Sequence, residues 1–366
     1  MANVRVGFIG CGGIANGKHF PGMAQQEGVD MCAFCDLILE RAEKAAKEYG
    51  TPDAKVYTDY HELLADPTID AVHVLTPNVA HCEITVAALE AGKHVLCEKP
   101  MAATPADAKK MLEARDRTGK MLTIGYQYRH FPENQVAKKV VDSGALGDVY
   151  YAEATYLRRR GVPTWGVFTD KAKQGGGPLI DIGTHALDLT LFLMNNYDVD
   201  YVCGTSFEKL GHTLDAKHQG QVNYRGEFDT WNNETYDVED SAVGFIKMKN
   251  GATIVLESSW ALNTLLTSEA KTILCGTKGG ADMLGPEGSS LRLNGERFSK
   301  MYETIPNLAA SGAAFFDIVQ NRTHQIGGFG STHCSTRHRG KQFGTGQVLT
   351  TQVNDSHDVL THNAPS

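Results

Sequence analysis

Three residues carry side chains that can hold or move a proton in a catalytic step: Lys99, Asp181 and His185. Asp181 and His185 are four residues apart in a segment that reads as a helix after the glycines 175–177, so they share one helix face. Histidine titrates near neutral pH, and such a pair suits general acid–base chemistry. An equally good alternative is that Asp181 caps the helix and His185 packs in a core.

Lys99 stands in the sequence Glu98-Lys99-Pro100, directly after the strand pattern His94–Cys97. Because the carboxyl ends of parallel strands face the ligand crevice of an open sheet, we expect Glu98 and Lys99 near a bound cofactor. There the ammonium could hold a substrate hydroxyl and stabilise a developing alkoxide. By position alone, an ordinary surface lysine is almost as good an explanation.

A glycine turn, Gly10-Cys11-Gly12-Gly13-Ile14-Ala15, follows the first apolar strand and precedes a helix. In a dinucleotide site the first glycine makes the tight turn, the second lets the backbone approach the pyrophosphate, and the small third residue, here Ala15, allows close helix packing. Asp36 ends the second strand, where a carboxylate binds the adenine ribose and repels a 2′-phosphate. NAD is therefore preferred to NADP, although the nearby Arg41 weakens that preference.

Other polar residues follow the ends of further strands. Thr76, Pro77, Asn78 and His81 come after the pattern Ala71–Leu75 and are expected in the cofactor crevice. For Asn78, capping of the next helix is an equally good alternative. For the arginines 158–160, a solvated strand end is as good an explanation as a substrate contact. The remaining candidates for contacts with the cofactor or the substrate are Tyr126, Gln127, Arg129, Arg158 and Trp165.

The elements that must position these residues alternate between strand and helix through the first third of the chain. The expected strands are Val4–Ile9, Val29–Cys35, Ala71–Leu75, His94–Cys97 and Met121–Tyr126. The expected helices are Ile38–Tyr49, Asp59–Ala65, Ala80–Ala91 and Thr104–Thr118. Alternation at this spacing predicts an α/β Rossmann domain with a parallel sheet covered by helices on both faces.

Strands dominate the second half. A helix is expected over residues 132–143, and Lys249-Asn250-Gly251 is typical of a hairpin turn because Asn and Gly tolerate positive φ. The expected strands are Val149–Leu157, Ser241–Met248, Ala252–Trp260 and Thr272–Cys275. This half is predicted to be an α+β domain with a large, mostly antiparallel open sheet.

The composition excludes several classes of protein. The chain has 366 residues, 42% of them hydrophobic, which is typical of a globular protein with more than one core. A net charge of −8 argues against nucleic acid and anionic membranes as partners, and no apolar run reaches the length of a membrane span. Cys32 and Cys35 lie in a buried strand pattern, which favours packing over redox or metal chemistry. We expect a cytoplasmic protein with no bound metal.

Together these motifs make the chain resemble the glucose–fructose oxidoreductase, inositol dehydrogenase and MocA family over about residues 4–320. The motifs that carry the resemblance are the glycine turn, Thr76-Pro77-Asn78 with His81, Glu98-Lys99-Pro100, the segment Gly175–His185, and Gly276-Thr277-Lys278-Gly279-Gly280. The resemblance implies an enzyme that transfers a hydride between nicotinamide and a carbinol of a sugar, inositol or related polyol.

The resemblance also implies roles for single residues. Lys99 would anchor the reacting hydroxyl, His185 would take its proton, and Asp181 would bind a substrate hydroxyl. The Lys99–Pro100 bond would be cis, and Trp165 would line the nicotinamide pocket. Two alternatives stay open: an NAD-dependent glycosidase that acts through transient oxidation, and a cofactor-sensing binding protein without turnover.

The expected organisation is a Rossmann domain over 1–125, a substrate and oligomerisation domain over 126–321, and a poorly packed tail over 322–366. Family members end in an amphipathic helix, and the loss of any such pattern in the tail suggests a reading-frame change in the gene. Because an open sheet face commonly pairs with another copy, we expect a homodimer or homotetramer.

Overall fold

A computed structural model describes residues 2–163, 165–213, 236–283 and 291–306. They form two compact units. Of the described residues, the first unit comprises the chain up to Phe131 together with Ala172–Gly175, and the second comprises Pro132–Lys171 and the described residues between 176 and 306. The expected tail, 322–366, lies outside the described residues.

The first unit contains a six-stranded sheet in the order β3-β2-β1-β4-β5-β6, in which the paired strands are all parallel. Its strands are β1 (Val4–Ile9), β2 (Val29–Cys35), β3 (Lys55–Tyr57), β4 (Ala71–Val74), β5 (His94–Cys97) and β6 (Leu122–Ile124). Its helices are α1 (Phe20–Met23), α2 (Leu39–Tyr49), α3 (Tyr60–Ala65), α4 (His81–Glu90) and α5 (Pro105–Thr118). The predicted Rossmann sheet is confirmed.

The central strands of this sheet are its most buried. All four residues of β4 are buried, and Phe8 of β1 packs against Phe20 and Phe34 in the core. The chain order reverses between β1 and β4, and ligands of open α/β sheets bind outside the strand ends at such a point. The glycine turn follows β1, and the segment Thr76–His81 (the Thr76 segment) follows β4. Both therefore lie at the strand ends where the chain order reverses.

The second unit contains an eight-stranded sheet in the order β14-β13-β12-β11-β7-β10-β9-β8. Its strands are β7 (Val149–Leu157), β8 (Val199–Phe207), β9 (Ser241–Met248), β10 (Thr253–Ser259), β11 (Ser268–Gly276), β12 (Gly279–Met283), β13 (Leu291–Arg297) and β14 (Lys300–Thr304). Between α5 and the end of the described chain lie the helices α6 (Pro132–Asp142), α7 (Lys171–Gln174) and α8 (Thr184–Met194). Among the strands that the structure describes in this sheet, only β7 and β10 pair in parallel, so the predicted mostly antiparallel sheet is confirmed.

Several strands were missed by sequence reasoning, among them β3 and β8. β3 has only three residues, too few for a period of two to show. Nearly every residue of β8 is exposed, so the strand lacks the alternation that predicts a half-buried strand.

Both segments that follow the glycine runs begin with a π-helical turn in place of the expected α-helix. These turns are Ala15–His19, which leads into α1, and Leu179–Gly183, which leads into α8. Single π-turns occur often at functional sites. Among the described residues, no helix has both the length and the apolar character needed to cross a bilayer.

Candidate active site

The glycine turn has the geometry of a pyrophosphate cradle. Gly10 has φ +100°, and a Cβ there would lie 2.6 Å from the carbonyl oxygen of Leu75, so only glycine fits. A Cβ on Gly12 would meet no atom within 4 Å, which leaves open space above its backbone. Asn16 closes the turn because its side-chain amide donates to the carbonyl oxygens of Cys11 and Gly12, both at 2.8 Å. The turn therefore fits a dinucleotide, and the part played by Asn16 was not predicted. Gly13 and Ile14 lie in the same turn, with Ile14 39% exposed.

Asp36 lies at the end of β2 and is tied to the glycine turn. Its Oδ2 accepts from the N–H of Cys11 at 2.8 Å, and its Oδ1 accepts from the N–H of Ile38 at 2.9 Å. Each carboxylate oxygen has a second acceptor site, so Asp36 can still accept ribose hydroxyls. The following Leu37 is 93% exposed and carries no charge.

The Thr76 segment is fixed by two buried side chains. Asn78 lies in a 3₁₀ turn, and its side-chain amide donates to the carbonyl oxygen of Gln174 at 2.9 Å. The alternative that Asn78 caps the next helix is therefore wrong, since α4 has no side-chain cap. The ring nitrogens of His81 lie 2.8 Å from the carbonyl oxygens of Thr76 and Pro100, so His81 joins the two loops. Burial lowers the pKa of His81 although the two carbonyl oxygens raise it.

Glu98 points into the unit. Its Oε1 lies 2.8 Å from Nε2 of His19, and its Oε2 accepts from the N–H of Lys99 at 3.1 Å. Burial raises the pKa of Glu98, but the hydrogen bond and charge of His19, together with the charge and backbone N–H of Lys99, outweigh burial and hold the pKa below its ordinary value. The Lys99–Pro100 bond is cis, as expected.

The residues after β6 form a short 3₁₀ turn, Gln127–His130. The guanidinium of Arg129 lies 5.6 Å from the centre of the Tyr126 ring, and both side chains are half-buried. These residues thus make a local cluster of a cation on an aromatic ring.

In the second unit, a half-buried carboxylate holds the glycine loop before the helix. Glu239 accepts from the N–H of Gly177 at 2.9 Å and from the N–H of Leu179 at 3.1 Å. A Cβ on Gly177 would lie 2.1 Å from the carbonyl oxygen of Glu239, so the close approach requires glycine. Burial raises the pKa of Glu239, an effect that the two N–H groups partly offset. No local pattern in the sequence points to Glu239.

Asp181 and His185 are both buried, at 9% and 6% exposure, on successive turns of the π-turn and α8. Oδ2 of Asp181 accepts from the indole N–H of Trp260 at 3.0 Å. Asp181 makes no cap, because Pro178 occupies the cap position and no side-chain cap bond exists there. The capping alternative is therefore wrong. The burial of His185 agrees with the core alternative, and its ring centre lies 6.5 Å from that of Tyr156.

Of the arginine triplet, Arg158 is the member that belongs to this buried group. Its guanidinium lies 5.2 Å from the centre of the Tyr156 ring and 3.5 Å from the carboxylate of Glu269. Burial lowers the pKa of Arg158, but Tyr156, Asp181 and Glu269 raise it above the ordinary value. Arg158, Tyr156, Asp181 and His185 thus form one polar cluster.

The other arginines of the triplet bind loop atoms. Arg159 donates to the carbonyl oxygens of Thr264 and Leu265, and Arg160 donates to the side chain of Asn263. Trp165 contacts Phe168 with ring centres 6.1 Å apart. Sequence reasoning missed Tyr156 and Trp260, whose signals are those of ordinary strand residues. Among the described residues, no group of histidine, cysteine or acidic side chains is arranged to hold a metal ion.

Both halves of the chain match family models. Residues 4–126 match the oxidoreductase family with NAD-binding Rossmann fold, GFO_IDH_MocA, and residues 134–282 match the GFO/IDH/MocA C-terminal domain. D-glucoside 3-dehydrogenase of Escherichia coli K12 is 38% identical over 326 residues, which cover 88% of this chain and 90% of that protein. Levoglucosan dehydrogenase of Pseudarthrobacter phenanthrenivorans is 32% identical over 278 residues, 71% of this chain and 68% of the relative.

A solved structure shows the same likeness in three dimensions. The aldose–aldose oxidoreductase from Caulobacter crescentus, complexed with glycerol, has a TM-score of 0.71 and 25% identity, and covers 88% of this chain and 89% of its own. With both domain models matched in order and a relative 38% identical over most of both lengths, the chain belongs to the Gfo/Idh/MocA family of oxidoreductases.

Proposed function

We propose that this enzyme is an NAD-dependent dehydrogenase that oxidises a secondary alcohol of a sugar, a glucoside or a related polyol. The observation that carries the proposal is the buried pair Asp181 and His185, with the carboxylate held by Trp260. A buried imidazole one helical turn from a carboxylate that Trp260 holds suits proton transfer from a substrate hydroxyl.

In the proposed reaction, His185 accepts the hydroxyl proton while the ammonium of Lys99 donates a hydrogen bond to the same oxygen. The alcohol carbon loses a hydride and becomes a ketone, so one alcohol and one NAD⁺ give one ketone, one NADH and one proton. NAD, when bound, supplies the nicotinamide carbon that accepts the hydride. Asp181 orients the substrate through one of its hydroxyls, and the positive charge of Lys99 stabilises the oxygen as it gains negative charge.

The proposed preference for NAD rests on Asp36. Both of its oxygens accept backbone N–H groups at the end of β2, which fixes a negative charge where an adenine ribose would bind. Leu37 and Ile38, which follow, are apolar and exposed, and offer no cation to a 2′-phosphate. The remaining proposed cofactor contacts are Gly10, Gly12, Gly13, Ile14, Thr76, Pro77, Asn78, His81, Lys99, Gln127 and Trp165.

The proposed substrate pocket uses the polar cluster of the second unit. Arg158 and Tyr156 can donate to sugar hydroxyls, and Trp165 offers an apolar face to C–H groups. Tyr126 and Arg129 are proposed as further contacts. Because D-glucoside 3-dehydrogenase is 38% identical to this chain, D-glucosides are the first substrates to test.

The experiment follows NADH absorbance with purified enzyme, NAD⁺ and a panel of glucosides, free sugars, inositols and levoglucosan. We expect turnover with at least one member, and loss of kcat by about 10²–10⁴-fold in His185→Ala. Thr190→Ser, a small change on the same helix, is the control that keeps the imidazole. No turnover across the panel, or a His185→Ala enzyme within a few-fold of wild type, would contradict the proposal.

A further inference from the structure

We propose that His19 and Glu98 form a buried brace that holds the backbone of Lys99 in register with the glycine turn, so that both are positioning residues. The expected effect on kcat rests on the proposed function, because it assumes that Lys99 holds the substrate hydroxyl. The expected effect on the affinity for the dinucleotide depends only on the Rossmann unit.

The brace joins two segments that are far apart in the sequence. His19 ends the π-turn that follows the glycine turn, and its Nε2 lies 2.8 Å from Oε1 of Glu98. The other oxygen of Glu98 accepts from the N–H of Lys99 at 3.1 Å. One carboxylate thus contacts the π-turn that follows the glycine turn with one oxygen and the backbone of Lys99 with the other.

A second buried histidine, His73, contacts the other ring nitrogen of His19. His73 lies in the central strand β4, and its Nδ1 is 3.0 Å from Nδ1 of His19. Burial and the neighbouring His19 hold the pKa of His73 well below its usual range, so His73 is neutral. Nδ1 of His19 can either accept from His73 or donate to it, and in both cases Nε2 donates to Glu98, because the lowered pKa of Glu98 keeps it a carboxylate that can only accept. In both arrangements an N–H of His19 faces Glu98.

The surroundings keep the brace dry and rigid. His19, His73 and Glu98 are 1%, 5% and 7% exposed. The ring of Phe8 packs edge-on against His73 with centres 4.9 Å apart, and a Cβ on Gly125 would come within 3.1 Å of Oε1 of Glu98. A charge-assisted hydrogen bond in such a site is stronger than one in water, and its loss leaves a buried carboxylate without that donor. Glu98 therefore acts by holding neighbours in place.

The test compares His19→Leu with His19→Gln, whose amide N–H can replace the Nε2 donor. For His19→Leu we expect the Kd of NAD, measured by NADH fluorescence titration and competition, to rise at least about 10-fold, and kcat at saturating cofactor and substrate to fall at least about 10-fold. For His19→Gln we expect both values to return to within about 3-fold of wild type. His94→Leu, at the opposite end of β5, is the control for general damage to the sheet and should leave kcat unchanged.

Each outcome decides the inference. A folded His19→Leu protein with unchanged Kd and kcat overturns it, and so does a His19→Gln protein that behaves like His19→Leu. A change in Kd with unchanged kcat overturns the link to Lys99.

If His19→Leu does not fold, Glu98→Gln keeps the shape of the side chain and removes its charge, and an unchanged kcat in that variant overturns the inference. Lys99→Ala is measured in parallel: unchanged kcat there refutes the proposed function, and the Kd of His19→Leu still decides the brace.

Discussion

Asp36 is the residue on which the proposed choice of cofactor depends. Its carboxylate lies directly after β2, where we propose that the adenine ribose binds, and its oxygens accept from the N–H groups of Cys11 and Ile38. Asp36→Asn keeps an acceptor oxygen and removes the repulsion towards a 2′-phosphate. We expect the ratio of kcat/KM for NAD over NADP to fall at least about 10-fold, because one charge contact is worth about 1–2 kcal/mol. A wild-type enzyme that prefers NADP contradicts the assignment.

Asp66 makes a residue-scale prediction about stability and pH. The hydrogen bond from Lys55 at 2.7 Å, followed by those from Thr68, holds the pKa of Asp66 well below its usual range despite burial. A depressed pKa in the folded state adds stability above the unfolded pKa of about 4, and this stability is lost as the pH falls towards the folded pKa. Asp66→Asn should therefore lower Tm at pH 7 and differ less from wild type at pH 3. Equal differences in Tm at the two pH values would refute this account.

At the scale of elements, we expect two glycines of the same turn to have different roles: Gly10 in stability and Gly12 in cofactor binding. A Cβ on Gly10 would collide with the backbone of Leu75, whereas a Cβ on Gly12 would enter empty space. Gly10→Ala should lower Tm by several degrees because the collision and the positive φ strain the fold. Gly12→Ala should keep Tm within about 2 °C and raise the Kd of NAD at least about 10-fold, since the methyl group occupies the cradle. Thermal unfolding measures Tm, and fluorescence titration measures the Kd of NAD. An unchanged Kd in Gly12→Ala would show that the turn is not part of the cofactor site.

Glu239 makes the second prediction at this scale. It holds the N–H groups of Gly177 and Leu179 at the start of the segment that carries Asp181 and His185. Glu239→Ala should lower kcat about 10–100-fold and leave the Kd of NAD unchanged, because a shift of the reacting group by a fraction of an ångström is costly. Asp237→Ala, which removes a bond to the N–H of Lys171 instead, is the matched control. Equal kcat in the two variants would show that the loop needs no such anchor.

Strands with a strong apolar pattern were predicted well from the sequence, whereas the π-turns after the two glycine segments were not. The strands Val4–Ile9, Val29–Cys35, His94–Cys97 and Val149–Leu157 have the bounds that their apolar patterns predicted. The π-turns were missed because a π-turn and an α-turn require the same residue types, and packing against neighbours decides between them.

At the scale of the whole molecule, the second sheet makes a prediction about assembly. Strands β8 and β9 expose aromatic and aliphatic side chains on the sheet, among them Tyr201, Val202, Val243 and Phe245. An apolar surface of this kind is typical of a subunit contact. We expect a homodimer or homotetramer in sedimentation velocity, and Phe245→Glu should shift it towards smaller species. Phe298→Glu, at an exposed site between β13 and β14, should not, and a wild-type monomer would refute the prediction.

The sequence by itself determined the glycine turn, the Rossmann sheet and the segments that hold Lys99, Asp181 and His185. These features are local: a glycine with positive φ, a period of two or 3.6, and a residue at a strand end all show within a few neighbours. Only the tertiary structure decided which side chains hold them. Glu98 meets His19, Trp260 meets Asp181, and Glu239 meets Gly177 across long stretches of chain. A buried polar group must be hydrogen-bonded, and its partner is the group that tertiary packing places next to it. Because these partners are far apart in the sequence, no local spacing predicts them.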